Sequence, residues 1–280
     1  RYRVSLSPFI SAERPMPMGY HRLSVCCAEA ASKPRDWDSE AHHGTLLLAP
    51  PKAKQLREGS KPWGISIALY SLRSEGQWGI GDFGDLNSLI AWLSDYGCDF
   101  IQLNPLHALG DSFNEGAYIS PYSPSDRRRL NPLYIHIESV NEAGEITDLL
   151  QTCAVDRERL NRDDWLDYPK LTQLKYRLFN ALYRVFCRDV LGSGGAREQA
   201  FKQFIAQEGE ALLSFCELEA TKAESHGASE AATPGFHQYL QFVAHGQLVD
   251  CQRYAIAAGM SIGLIGDMAV GVRGDGAEVN

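Results

Sequence analysis

Several things are missing from this sequence, and each absence removes a class of function. No apolar run approaches the roughly 18–20 residues of a membrane span, which excludes a helical spanning protein. No HExxH, GxSxG or P-loop pattern occurs, so zincin, α/β-hydrolase and kinase readings have no support. The seven cysteines (Cys26, Cys27, Cys98, Cys153, Cys187, Cys216 and Cys251) are odd in number and none forms a CxxC pair. Reduced thiols in a cytoplasmic protein are expected, rather than a zinc knuckle or a disulfide framework. Positive charge is also in short supply. Lys and Arg total 27 against 35 Asp and Glu, a net charge of −8. Such a chain is a poor partner for nucleic acid or an anionic membrane surface, and neither is expected. The chain opens Arg1-Tyr2-Arg3-Val4, with no Met and no signal-peptide layout. That fits a processed chain or a piece of a longer one. No internal repeat is visible.

What is present is ordinary globular composition, 44% hydrophobic and 22% charged over 280 residues. This suffices for one large core or two modest ones. Residues 1–55 read as β or irregular. Gly19-Tyr20-His21-Arg22-Leu23-Ser24-Val25 alternates in its second half, and residues 44–49 (GTLLLA) form an apolar strand stopped by Pro50 and Pro51. Two or three strands make no independent β-domain, so this stretch reads as the end of one. Residues 52–62 are a polar connector. Residues 64–70 (GISIALY) then read as a strand buried on both faces. Leu86, Leu89, Ile90 and Leu93 lie at helical spacing over 85–96, with Gly97 as the stop. Residues 99–103 (DFIQL) are a second buried strand, which makes a βαβ unit with a parallel sheet.

Residues 104–140 read as one long loop without helical periodicity, and such a loop after a parallel strand is usually functional. Residues 141–235 read as mostly helical. Leu171, Leu174, Leu178, Leu182, Val185 and Phe186 form one apolar stripe. Residues 218–235, rich in Ala, Ser, Glu and Thr, read as a surface connector. A helix over 237–258, stopped at Gly259, leads to a third buried strand over 260–265 and then to Gly266-Asp267. The pattern is α/β, either an open sheet or the first part of a barrel. A complete (β/α)8 barrel needs roughly 250 residues before any insertion, so 280 is tight.

Four segments carry chemistry. Gly79-Ile80-Gly81-Asp82-Phe83-Gly84 is a literal G-x-G-x-x-G. However, residues 71–78 separate it from the strand, and Asp82 and Asp85 place negative charge where phosphate would sit. Nucleotide binding is therefore not expected. Asp82, Asp85 and Glu75 read as capping or solvated. In Ser120-Pro121-Tyr122-Ser123-Pro124, two prolines hold the segment extended and present Tyr122, either as a platform for a sugar or as a buried loop tyrosine. Arg127-Arg128-Arg129 reads as partners for the chain's own carboxylates rather than for phosphate. Asp267 sits at the carboxyl end of the third strand, where α/β barrels carry their active sites. His237 and His245, on the long helix, read as exposed or satisfied.

Together these residues resemble bacterial 4-α-glucanotransferases, the amylomaltases of glycoside hydrolase family 77. The resemblance rests on Trp63-Gly64, Ser71-Leu72-Arg73-Ser74, and Trp78-Gly79-Ile80-Gly81-Asp82-Phe83-Gly84-Asp85-Leu86. It continues through Asn104-Pro105-Leu106-His107-Ala108-Leu109, Ser120-Pro121-Tyr122-Ser123-Pro124-Ser125 and Asn131-Pro132-Leu133-Tyr134-Ile135. Asp167-Tyr168-Pro169-Lys170 and Gly266-Asp267-Met268-Ala269-Val270-Gly271-Val272 complete it, over residues 60–280. Met18-Gly19-Tyr20-His21-Arg22-Leu23 is similar to the β-sandwich region preceding the barrel in longer members.

The resemblance implies the N-terminal part of a (β/α)8 TIM barrel over 56–280, with a helical insertion over 141–235. Before it, residues 1–55 would be the end of a β-sandwich domain. It implies transfer of an α-1,4-glucan segment to the 4-hydroxyl of a glucan or glucose by retaining double displacement, with no metal or organic cofactor. Partners would be α-1,4-glucans and maltooligosaccharides. Tyr122 matches the tyrosine that packs against the sugar at the cleavage site. Asp267 matches the carboxylate supporting that subsite and is not the nucleophile. Ser120 shares the glucan-contacting loop. The family's nucleophile, in an Arg-x-Asp-His motif, and its acid/base Glu and stabilising Asp have no counterpart in these 280 residues. Arg273-Gly274-Asp275 imitates the motif, but Gly276 replaces its His and the helix before a fourth strand has no room. The chain is thus expected to be a piece cut at both ends and inactive alone. The rival readings are a nucleotide-binding α/β oxidoreductase resting on residues 79–84 and a non-catalytic glucan-binding module.

Overall fold

In a computed structural model of the chain, residues 16–25, 42–52, 59–110, 119–225 and 232–279 are described. The chain divides into two units, residues 1–60 and 61–280. The adjacent pair Cys26 and Cys27 lies outside the described residues. In the first unit, β1 (Gly19–Val25) pairs antiparallel with β2 (His42–Leu48), in register from Gly19 opposite Leu48 to Val25 opposite His42. β2 starts two residues before the expected strand. Tyr20, Leu23 and Leu47 stay exposed on this ladder, because two strands alone cannot bury a face.

In the second unit, β3 (Gly64–Ile67), β4 (Phe100–Leu103) and β7 (Gly263–Gly266) form a parallel sheet in the order β3-β4-β7. The expected βαβ unit is there, with α1 (Phe83–Ser94) as its helix. β3 is shorter than expected. Its apolar run continues into a 3-10 turn at Leu69–Ser71, where the Ser71 N–H and hydroxyl both donate to the Ala68 carbonyl. Ile101 and Leu103 of the sheet pack with Leu86 and Ile90 of α1 in one core.

Two expectations are corrected here. Residues 104–140 are not one irregular loop. They contain a short antiparallel hairpin, β5 (His107–Ala108) with β6 (Asp126–Leu130). β6 reads DRRRL, so it carries no apolar alternation, and ion pairs rather than apolar burial satisfy its side chains. Nor are residues 218–225 a surface connector. α5 (Ala196–Ser225) runs through them, kinked at Gly209, and buries Glu219, Ala220 and Ala223. Alanine's small side chain buries in a close helix contact without any long apolar group to signal it. Residues 226–231 of that stretch lie outside the described residues.

The other helices are α2 (Thr147–Thr152), α3 (Ala154–Arg162), α4 (Tyr168–Asp189) and α6 (Pro234–Ala257). The α4 stripe is buried throughout, and Pro169 sits in its first turn, where its missing N–H costs nothing. On the same helix Lys175 is fully buried. Its Nζ donates to the carbonyls of Leu133 (2.6 Å) and Ile135 (2.9 Å) and lies 3.7 Å from the Asp82 carboxylate.

α6 packs against α1, α5 and β7. Three of its glutamines clamp backbone as a neighbouring strand would. Gln241 takes the N–H and carbonyl of Leu130, and Gln247 those of His136. Gln252 accepts from the Leu264 N–H and donates to the Ile262 carbonyl. His237 is buried and partnered, and His245 is exposed beside Phe204.

Candidate functional site

The glycine motif at residues 79–84 has a structural explanation. The Asp82 carboxylate caps α1, accepting the Gly84 N–H at 2.8 Å, while Asp85 accepts the Asp82 N–H at 2.9 Å. The donors a phosphate would need are already taken by a carboxylate. Asp82 and Asp85 are both buried, so capping rather than solvation describes them. A Cβ on Gly81 would stand 2.2 Å from the Leu69 carbonyl, and one on Gly84 would stand 2.4 Å from the His136 ring. These glycines let the chain pass close to its neighbours. Gly81→Ala is therefore expected to lower stability by about 1–3 kcal/mol, checked by urea unfolding.

The carboxyl ends of the parallel strands bring the predicted sugar-contacting residues onto neighbouring loops. The Asp267 N–H donates to the Leu103 carbonyl (3.1 Å), which places Asp267 at the tip of β7 beside the end of β4. Tyr122 lies in the segment between β5 and β6 and is 53% exposed, so the buried-tyrosine alternative is overturned. Ser120 shapes that turn. Its hydroxyl accepts the Tyr122 N–H (3.3 Å) and its carbonyl accepts the Ser123 N–H (3.1 Å).

Arginines stitch the two loops together. Arg127 grips Glu278 through Nη2 (2.5 Å) and donates from Nη1 to the carbonyls of Ala269 (3.4 Å) and Val270 (3.2 Å). This guanidinium holds the Glu278 carboxyl down to about 2. Arg128 pairs with Asp126 (2.7 Å) and Arg129 with Glu208 (2.6 Å), so the arginine run does serve the chain's own carboxylates. Arg273 closes the other side. Its N–H donates to the Pro124 carbonyl (2.9 Å), its Nη1 to the Leu109 carbonyl (3.2 Å), and its Nε and Nη2 hold Asp275. Arg273-Gly274-Asp275 is thus a loop staple. The Ser125 hydroxyl accepts the Ala277 N–H (3.0 Å).

His107 is one of the residues here that sequence reasoning misses. The first residue of β5, it accepts the Ala269 N–H at Nε2 (3.2 Å). Burial pushes its ring below the usual histidine range, and nearby Arg127 adds to this. Glu278, Asp126 and Asp267 pull the other way. A lone histidine in an apolar loop gives no signal of such a contact.

A larger cleft lies elsewhere. About 900 Å3 in volume, it runs between Arg73–Gln77 and α3, and is lined by Arg73, Glu75, Arg157, Glu158 and Asp163 among others. None of Tyr122, Ser120 and Asp267 lines it. Among the described residues no His, Cys, Asp and Glu side chains cluster as a metal ligand set. Cys98, Cys153, Cys187, Cys216 and Cys251 are free thiols, and burial pushes Cys216 and Cys251 up to about 12. Among the described residues no helix is long and apolar enough to cross a membrane.

Known proteins resemble this chain over most of its length. The family model described as 4-alpha-glucanotransferase matches residues 67–235 and 217–280. The 4-alpha-glucanotransferase of Mycobacterium tuberculosis is 32% identical over 298 residues, covering 94% of this chain and 38% of the relative. That of Haemophilus influenzae is 31% identical, covering 95% of this chain and 42% of the relative. The crystal structure of amylomaltase from Corynebacterium glutamicum superposes with a TM-score of 0.78 at 26% identity, covering 95% of this chain and 37% of that one. The amylomaltase from Streptococcus agalactiae in complex with acarbose gives 0.60 at 20% identity over 78% of this chain and 45% of that one, a likeness of fold alone. The chain spans about two fifths of the length of these curated relatives.

Proposed function

Because the chain belongs to glycoside hydrolase family 77, the 4-alpha-glucanotransferases, we propose that it is the glucan-holding front part of such an enzyme. In this reading residues 56–280 are the first part of a (β/α)8 barrel, residues 141–235 its helical insertion, and residues 1–55 the end of a β-sandwich domain. The whole enzyme moves a segment of α-1,4-glucan to the 4-hydroxyl of a second glucan or of glucose, in the cytoplasm, by retaining double displacement. Its partners are α-1,4-glucans and maltooligosaccharides. An acarbose-bound relative of the same fold is consistent with such ligands.

One observation carries the reading. Tyr122 and Asp267 come from loops at the carboxyl ends of adjacent parallel strands, and Arg127 and Arg273 bind those loops to each other. An exposed ring gives a sugar a flat apolar face, and a carboxylate accepts its hydroxyls. The roles follow from this. Tyr122 stacks on a glucose ring, Asp267 accepts from hydroxyls of the same unit, and Ser120 keeps the Tyr122 turn in shape. Isothermal titration of the chain with maltotriose tests it. Tyr122→Ala is expected to weaken binding about 5–10-fold, the equivalent of one lost stack. Equal affinity in wild type and variant, or no binding by wild type, would remove the reading.

A further inference from the structure

His107 is a half-buried titratable side chain of this site with no part in the reading above. We propose that His107 is a positioning residue for Asp267. As the neutral Nδ1–H tautomer it accepts the Ala269 amide proton at Nε2, and a proton on Nε2 releases the 267–270 segment. The proposal rests on the glucan-holding reading only for what Asp267 does, not for how it is held.

The argument begins with the backbone. Residues 267–270 are fixed at four points. The Asp267 N–H is on the Leu103 carbonyl, the Ala269 N–H is on His107 Nε2, and the Ala269 and Val270 carbonyls are on Arg127. Three of these four bonds come from side chains of one hairpin. Both are anchored in its strands, with His107 in register opposite Leu130. Ala269 is buried, so its amide has no ready replacement partner. An amide N–H can only donate, and Nε2 accepts only while it carries no proton. Protonation therefore sets two N–H groups against each other at 3.2 Å. Met268 and Val270, either side of Ala269, are exposed, so little apolar packing holds the segment in place of that bond.

The charged groups around the ring set the direction of its pH response. Burial and the Arg127 guanidinium disfavour the imidazolium, while Glu278, Asp126 and Asp267 favour it, and the disfavouring side wins. The ring's folded-state pKa therefore lies below its value in an unfolded chain. The bond is fully present above the ordinary histidine range and is lost as pH falls through that lower value.

Nuclear magnetic resonance on the complete 280-residue chain tests this without glucan. At about pH 7.5 the His107 Nε2 is expected to resonate as an unprotonated nitrogen, and the Ala269 amide proton should shift with the ring as pH falls to about 5. His107→Gln, which keeps a neutral acceptor, should abolish that pH response while leaving other amides in place. His107→Leu, which has no acceptor, should raise Ala269 amide exchange about tenfold or more across this range. Nε2 protonated at the higher pH, an Ala269 amide indifferent to the ring's titration, or an unchanged response in His107→Gln would overturn the proposal. If His107→Leu does not fold, the wild-type tautomer and His107→Gln still decide it. A chain that binds no maltotriose would fail the functional reading and leave these signals to be judged alone.

Discussion

Replacing Lys175 by alanine is expected to lower folding stability by about 3–5 kcal/mol, measured by urea or guanidinium unfolding. The ammonium is fully buried and serves three groups at once. It donates to the Leu133 and Ile135 carbonyls and is the nearest cation to the Asp82 carboxylate. Removing it strands both carbonyls, opens a cavity in α4, and leaves a buried carboxylate without its counter-charge. The electrostatics show how finely the pair is held. Burial pushes the Asp82 carboxyl up and the Lys175 ammonium down, and each charge pulls the other back. Lys175→Ala with Asp82→Asn should therefore be more stable than Lys175→Ala alone. Asn still caps α1 but leaves no charge behind. A loss under about 1 kcal/mol in the single variant would show that the Asp82 charge is solvated after all.

Maltotriose incubated with the purified 280-residue chain is expected to remain maltotriose, with neither glucose nor longer oligomers on chromatography. Retaining transfer needs two carboxyl groups about 5 Å apart, one as nucleophile and one as acid. The carboxylates near Asp267 are otherwise engaged. Glu278 is held by Arg127, Asp126 by Arg128, and Asp275 by Arg273. The arginine beside Glu278 keeps it ionised down to about pH 2, the opposite of what an acid catalyst near neutral pH requires. Among the described residues of these loops, Asp267 is left without a second free carboxyl. The expectation is binding without turnover, and glucose release by this chain alone would contradict it.

Much of the frame was readable from the residues. The three parallel strands, the helix between the first two and the α4 stripe all announce themselves by their apolar residues, but the strands are half-buried rather than buried on both faces, with Ser66, Gln102 and Gly266 exposed. The stop at Gly97 follows from its positive φ of 70°. The arginine run pairs with carboxylates of the chain itself, as expected in an acidic chain. Other features leave no local signature. β6 is built mostly of Asp and Arg, so no apolar alternation announces it, and it is its antiparallel pairing with β5 that makes it a strand. The last turns of α5 bury alanines that composition assigns to a surface. The literal G-x-G-x-x-G needed the Leu69 carbonyl and the His136 ring, from elsewhere in the chain, to explain its glycines. For the candidate site, Tyr122, Ser120 and Asp267 are proposed through motif resemblance. His107 and Glu278 are not, because their roles depend on contacts more than 150 residues away, 162 for His107 to Ala269 and 151 for Arg127 to Glu278.

The glutamine clamps of α6 carry a consequence in time. Leu130 and His136 each wait for a side chain 111 residues further along the chain. At a ribosome adding about 5–20 residues per second, those peptide groups stay unclamped for roughly 6–22 s after they are made. Over that interval the hairpin end and the turn after it are nascent chain without their lateral partner. α6 closes both at once as it emerges. Slow synthesis between residues 136 and 241 would prolong the open state.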